Sequence, residues 1–253
     1  MALTTLHKNA GAILLSLLAW GLQGSFAQTN TTPTTSPGSQ TIATGFFISD
    51  GGFLVSSEHV VRGRSHLYAL MPDRRVLPAQ LVKVDAKNDI ALLKVSAMTP
   101  FLYLSHSAGV PPGMDVVTIG YPQVEFLGLS PKITRGIVNS SSGLKDDQGS
   151  FQFSAEIQKG NSGGPLIGPG GTVVGIVRAK LDAEKMARLG QDTPQNVNFA
   201  VKSALLIKFL KDTAGIPFTR PLNPEAELRP IRIYSEGIEA IVPVIARDEP
   251  FRK

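Results

Sequence analysis

From about residue 41 the chain alternates short apolar runs, rich in Val, Ile, Leu and Phe, with polar breaks that carry Asp-Gly, Pro-Asp, Pro-Gly and Gly-Gly. Short apolar runs bounded by such turn formers are the pattern of an all-β chain. They predict strands at residues 43–48, 53–56, 66–70, 76–84, 90–95, 116–119, 133–138, 151–155 and 172–179, with Ser49-Asp50-Gly51-Gly52 as a hairpin signal between the first two. One segment changes period. Val201, Leu205, Leu206, Phe209 and Leu210 recur at helical spacing among Lys202, Lys208 and Lys211, which predicts a helix over 201–212 that closes the domain with its apolar face. After Gly215 prolines interrupt the chain, and only residues 238–246 read as a further strand. The extension at 213–253 is too short for a core of its own and is expected to pack on the body or stay mobile.

The amino-terminal pattern differs. Lys8 lies in a short polar start, an apolar run covers about residues 10–22, and Ser25-Phe26-Ala27 puts small residues where a signal peptidase reads. Residues 1–27 are therefore expected to be a signal peptide cleaved after Ala27, giving a periplasmic or secreted protein. The apolar run falls short of the roughly 20 residues that cross a bilayer, so no stable membrane span is expected after cleavage. Residues 28–40, made of Thr, Ser, Pro, Gly, Asn and Gln, read as a flexible linker.

Composition narrows the chemistry. A chain of 253 residues with 42% apolar content can build a substantial core. The absence of cysteine excludes disulfides, thiolate metal sites and a cysteine nucleophile. The net charge of +5 comes from scattered basic residues, not from the concentrated patch that nucleic acid requires, so no nucleic-acid partner is expected. The four histidines lack metal-ligand spacing, no phosphate-cradling loop is present, and neither metal nor cofactor is expected.

Against that background Gly160-Asn161-Ser162-Gly163-Gly164-Pro165-Leu166 stands out. A serine among glycines, followed by β-type sequence, is suited to a tight turn that exposes a hydroxyl and leaves backbone amides free to face a substrate; a plain glycine turn is the alternative. A serine hydroxyl is a weak nucleophile and needs an imidazole, itself oriented by a carboxylate. His59 follows the apolar run Phe53-Leu54-Val55, and Asp89 immediately precedes Ile90-Ala91-Leu92-Leu93. Taken singly, His59 is more often a structural histidine and Asp89 more often a strand-entry turn or cap.

Together, in chain order, G-F-F-I-S-D-G-G-F-L-V-S-S-E-H-V-V at 45–61, N-D-I-A-L-L-K-V at 88–95 and G-N-S-G-G-P-L at 160–166 with V-V-G-I-V at 173–177 resemble the His, Asp and Ser motifs of trypsin-like serine proteases, most closely the bacterial HtrA/Deg group. Residues 113–122, 134–138 and 198–201 resemble the segments at the corresponding places, so the similarity spans about residues 41–212. The resemblance implies two six-stranded antiparallel barrels, roughly 41–103 and 104–200, closed by the helix, with the active site between them. It implies a serine endopeptidase acting on polypeptides, with His59 as general base and acid, Asp89 as its orienter, Ser162 as nucleophile, and the N–H groups of Gly160 and Ser162 as an oxyanion hole. In the group's setting, unfolded or damaged envelope proteins are the expected substrates. A catalytically weak or inactive protease-fold binding or chaperone module is the alternative.

Some positions depart from the group. The 213–253 tail is far shorter than the PDZ domains that follow the protease in its best-known members, so a form without one is expected. The aromatic residues that help build the group's trimers are lacking in 28–40, while a homo-oligomer stays open. Glu156 falls where trypsin-like enzymes carry the residue at the floor of the specificity pocket, and Arg178 on a strand lining it. A carboxylate there could select Lys or Arg before the scissile bond; an Arg178–Glu156 ion pair would cancel that charge.

Overall fold

The protein is described by a computed structural model over residues 40–107, 109–180, 195–213, 219–223, 225–227 and 229–251. The expected signal segment 1–27 and the linker up to residue 39 lie outside the described residues. The apolar runs of the first half become β1 (Gln40–Phe47), β2 (Phe53–Ser56), the one-turn helix α1 (Glu58–Val61), β3 (His66–Leu70), β4 (Val76–Asp85) and β5 (Ile90–Val95). The second half gives β6 (Leu104–Ser105), β7 (Asp115–Gly120), α2 (Val124–Leu127), β8 (Lys132–Ser140), β9 (Ser150–Phe153), β10 (Pro165–Ile167), β11 (Val173–Lys180) and β12 (Asn198–Lys202). Then come α3 (Ser203–Leu210), β13 (Thr219–Arg220), α4 (Pro230–Gly237) and β14 (Ile241–Arg247).

Strands β1, β14, β3, β4, β5 and β2 close, in that order, into an antiparallel barrel. The first barrel, expected within 41–103, thus takes its sixth strand from near the end of the chain. β14 lies between β1, where Phe46 faces Ile241 and Gln40 faces Arg247, and β3, where Ala69 faces Val244. Residues 241–247, within the segment read as an extension, are therefore part of the body.

Side-chain alternation explains the fit. Val242, Val244 and Ala246 fill the barrel with Ala43, Phe47, Leu54 and Leu93, while Ile241 packs with Phe46, Ile48, Ile90 and Leu92 in a second cluster that also takes residues of the other barrel. A strand buried on both faces reads as an unbroken apolar run, as residues 90–93 of β5 and 241–246 of β14 both do. Pro243 interrupts nothing, because it sits just beyond the last β14–β3 pair and faces Thr44 on β1.

The second barrel joins β7, β8, β9, β12, β11 and β10, closed by β10 pairing with both β11 and β7. Val116, Val138, Phe151, Phe153, Leu166 and Val177 fill it. β6 and β13 extend outward from β11 through parallel pairs. The helix expected from residue 201 begins at Ser203 instead, because Val201 is held in β12 opposite Ile176 and Ser150. It buries Leu206, Phe209 and Leu210 against the cluster shared by the two barrels. No helix among the described residues is long and apolar enough to cross a membrane.

Candidate active site

The carboxylate and the imidazole come from neighbouring ends of the first barrel. Asn88 donates to Asp85 through its main-chain N–H (3.1 Å) and its side-chain amide (2.6 Å), fixing the turn between β4 and β5. Burial pushes the Asp85 carboxyl up, but these bonds and Lys87 outweigh it and hold the group below its usual range. The next residue, Asp89, has φ of 57°, a left-handed conformation that Asp tolerates better than most side chains and that commonly marks functional positions. α1 buries Val60 and Val61 in the barrel and leaves the His59 side chain 46% exposed.

Asp89 holds this histidine at two places. His59 Nδ1 lies 2.8 Å from Oδ2 and 3.0 Å from Oδ1, and the His59 main-chain N–H donates to Oδ1 at 2.9 Å. A carboxylate against Nδ1 favours the tautomer with its proton there, which leaves Nε2 as an acceptor facing outward. The Asp89 side chain is only 10% exposed, so little water competes for it.

The serine turn is held mainly by the other barrel and by one residue of β1. Asn161 N–H donates to the Gln158 carbonyl (3.0 Å), Gly163 N–H to Val177 (2.8 Å) and Gly164 N–H to Asn161 (2.9 Å). The Asn161 side chain accepts from Gln158 N–H at 3.0 Å. Thr44 Oγ1 donates to the Gly160 carbonyl at 2.6 Å, and Thr44 N–H donates to the Ser162 carbonyl at 3.2 Å. Within 160–164 this leaves the N–H groups of Gly160 and Ser162 without an acceptor among the described residues, one on either side of Asn161. Gly160 has φ of 104°, and a Cβ there would lie 2.5 Å from the Tyr121 carbonyl; Gly163 has φ of 82° and packs against Ser56 and Thr44. Both positions demand glycine.

Ser162 Oγ donates to the Arg178 carbonyl at 3.2 Å, not to His59. The two residues assigned to the specificity pocket are not joined. Glu156 is exposed and its carbonyl accepts the Thr134 hydroxyl at 2.7 Å, while no ion pair links it to Arg178 among the described residues. The charge of Arg178 instead contributes, after the Ser150 and Gly149 hydrogen bonds, to holding Asp147 below its usual range. Charge cancellation between Glu156 and Arg178 is therefore not what the fold builds. No three His, Cys, Asp or Glu residues among those described gather around a metal-sized space.

Sequence reasoning missed Thr44 and Tyr121. A hydroxyl residue inside the otherwise apolar segment 42–48 was the one available signal for Thr44, whose side chain is fully buried. Tyr121 gave none, since its partner lies 120 positions away.

Two antiparallel six-stranded barrels, the first carrying the His59–Asp89 pair and the second the Ser162 turn, are the scaffold of a serine peptidase. Residues 43–176, more than half of the chain, match the trypsin-like peptidase domain family. The chain belongs to that family and, within it, to the HtrA group. It is 44% identical over 167 residues to an uncharacterized protein, y4bJ, of Sinorhizobium fredii, covering 66% of this chain and 26% of the relative. It is 37% identical over 141 residues to a probable periplasmic serine endoprotease, DegP-like, of Hahella chejuensis, covering 54% and 29%. A solved structure of the HtrA-type protease AlgW with a tripeptide superposes with a TM-score of 0.59 at 26% identity, covering 69% of this chain and 56% of that one. The chain spans between a quarter and a third of the length of these two curated relatives.

Proposed function

We propose that this protein is an exported serine endopeptidase that cleaves polypeptides through an acyl-enzyme. His59 Nε2 takes the Ser162 proton as Oγ attacks the peptide carbonyl carbon, and Asp89 stabilises the resulting imidazolium. The oxygen that becomes negative is met by the N–H groups of Gly160 and Ser162, donors worth about 10²–10³ each in rate. His59 returns the proton to the departing amine, leaving an ester on Ser162. Water deprotonated by the same imidazole then hydrolyses the ester.

The observation that carries this reading is the hydrogen-bond pattern of the turn, in which every carbonyl from Gly160 to Ser162 is engaged while two amides beside the hydroxyl are left to donate. The same reading places the catalytic unit at 40–247, because β14 completes the barrel that holds His59 and Asp89. The probable periplasmic relative and the signal-like residues 1–27 support export, with unfolded or damaged envelope proteins as substrates.

One observation favours a second reading. Proton transfer requires the Ser162 hydroxyl to leave the Arg178 carbonyl for His59, and a hydroxyl that stayed there would make the protein a binding or chaperone module. Casein hydrolysis by the purified protein separates the two. The peptidase reading expects turnover that falls by about 10⁶ in Ser162→Ala. Turnover unchanged by that substitution, or absent from the folded wild-type protein, overturns it.

A further inference from the structure

Tyr121, the residue after β7, is 7% exposed, yet its hydroxyl and its main-chain N–H are both hydrogen-bonded at the junction of the two barrels. Its hydroxyl donates to the Ile241 carbonyl at the start of β14, 3.0 Å away. Its main-chain N–H donates to Thr44 Oγ1 at 3.0 Å, the same oxygen that donates to the Gly160 carbonyl. Its carbonyl forms the wall against which Gly160 sits, and two residues on, Gln123 N–H donates to the Lys159 carbonyl at 2.8 Å. Tyr121 therefore touches β14 with its phenolic hydroxyl and the serine turn with its backbone.

We propose that Tyr121 is a positioning residue through which the carboxy-terminal strand β14 holds the Gly160–Ser162 turn in its donor geometry. The turn is held from one side by Val177, which fixes Gly163, and from the other by Thr44 and Tyr121. A phenol anchored to a strand sealed between β1 and β3 can shift little, and its carbonyl limits where Gly160 can move. Without that anchor the 121–123 segment gains freedom, and the oxyanion donors beside it lose the fixed placement on which such sites depend. The inference rests on the reading of Ser162 as nucleophile.

Tyr121→Phe tests it, since the ring stays and only the hydroxyl goes. Amide hydrogen exchange over residues 158–164 reads the turn without any catalysis, so it stands apart from the question of whether the protein is a peptidase. A single lost hydrogen bond at a coupled site predicts exchange about three- to tenfold faster there, with residues 90–95 of β5 unchanged. In the active enzyme kcat falls by about the same factor while KM stays within twofold. Thr44 gives an independent arm: Thr44→Val should loosen the same segment and Thr44→Ser, which keeps the oxygen, should restore it. Exchange over 158–164 within twofold of wild type in Tyr121→Phe overturns the proposal, even if Thr44→Val, which removes a direct bond to Gly160, speeds it.

Discussion

Thr44 Oγ1, on a strand of the first barrel, donates a 2.6 Å hydrogen bond to the carbonyl of Gly160, beside the serine carried by the second barrel. The Thr44 main-chain carbonyl accepts from Ser56 Oγ at 2.9 Å, close to the one-turn helix that presents His59. A single buried residue of the first barrel thus ties the segment leading to His59 to the serine turn of the second barrel.

Replacing Asp89 by Asn tests the role of the carboxylate with little risk to folding. Asn tolerates the left-handed backbone at this position, and its carbonyl oxygen can still accept the His59 main-chain N–H. What changes is the imidazole, which loses the charge that fixes Nδ1–H and stabilises its cation. Steady-state peptide hydrolysis is expected to fall by about 10⁴ in kcat with the melting temperature nearly unchanged.

Gly163→Ala should damage both stability and activity. The new Cβ would lie 2.5 Å from both Ser56 Oγ and the Thr44 carbonyl, and the backbone has φ of 82°. Strained φ costs about 1–3 kcal/mol and overpacking a similar amount, so denaturant titration should show a loss of at least about 2 kcal/mol.

The carboxy-terminal strand is expected to behave as core. Ile241 is completely buried in the cluster shared by the barrels, and Ile241→Ala should destabilise by about 2–5 kcal/mol in urea unfolding. A loss under 0.5 kcal/mol would be the behaviour of a surface appendage.

Tyr121 also gives a pH dependence with a definite sign. Burial, with a smaller contribution from Tyr234, pushes its phenol up to about 12 from an ordinary 10. The folded state then keeps the proton more tightly than the unfolded chain, so its contribution is fully present below pH 10 and is lost as pH rises toward 12. Thermal unfolding followed from pH 9 to 12 should fall more steeply for wild type than for Tyr121→Phe.

Much of this was legible in the chain because period-two patterning and turn chemistry act locally. β2, β3 and β5 begin and end at the residues the pattern predicts, and His59, Asp89 and Ser162 lie within contiguous motifs. Two kinds of feature were not legible. The place of β14 is a long-range pairing, and an apolar run buried on both faces carries no mark of its neighbours. The bonds from Thr44 to Gly160 and from Tyr121 to Ile241 likewise join positions 116 and 120 residues apart. Glu156, matched by position to a pocket floor, is exposed and makes no ion pair with Arg178 among the described residues.

The most direct test of the central claim is labelling of the folded protein with a fluorophosphonate, followed by mass spectrometry of the peptide containing residues 160–166. The account predicts one covalent adduct on Ser162, absent from Ser162→Ala and strongly slowed in His59→Ala. A wild-type protein that remains unlabelled, or an adduct that persists in Ser162→Ala, would contradict it.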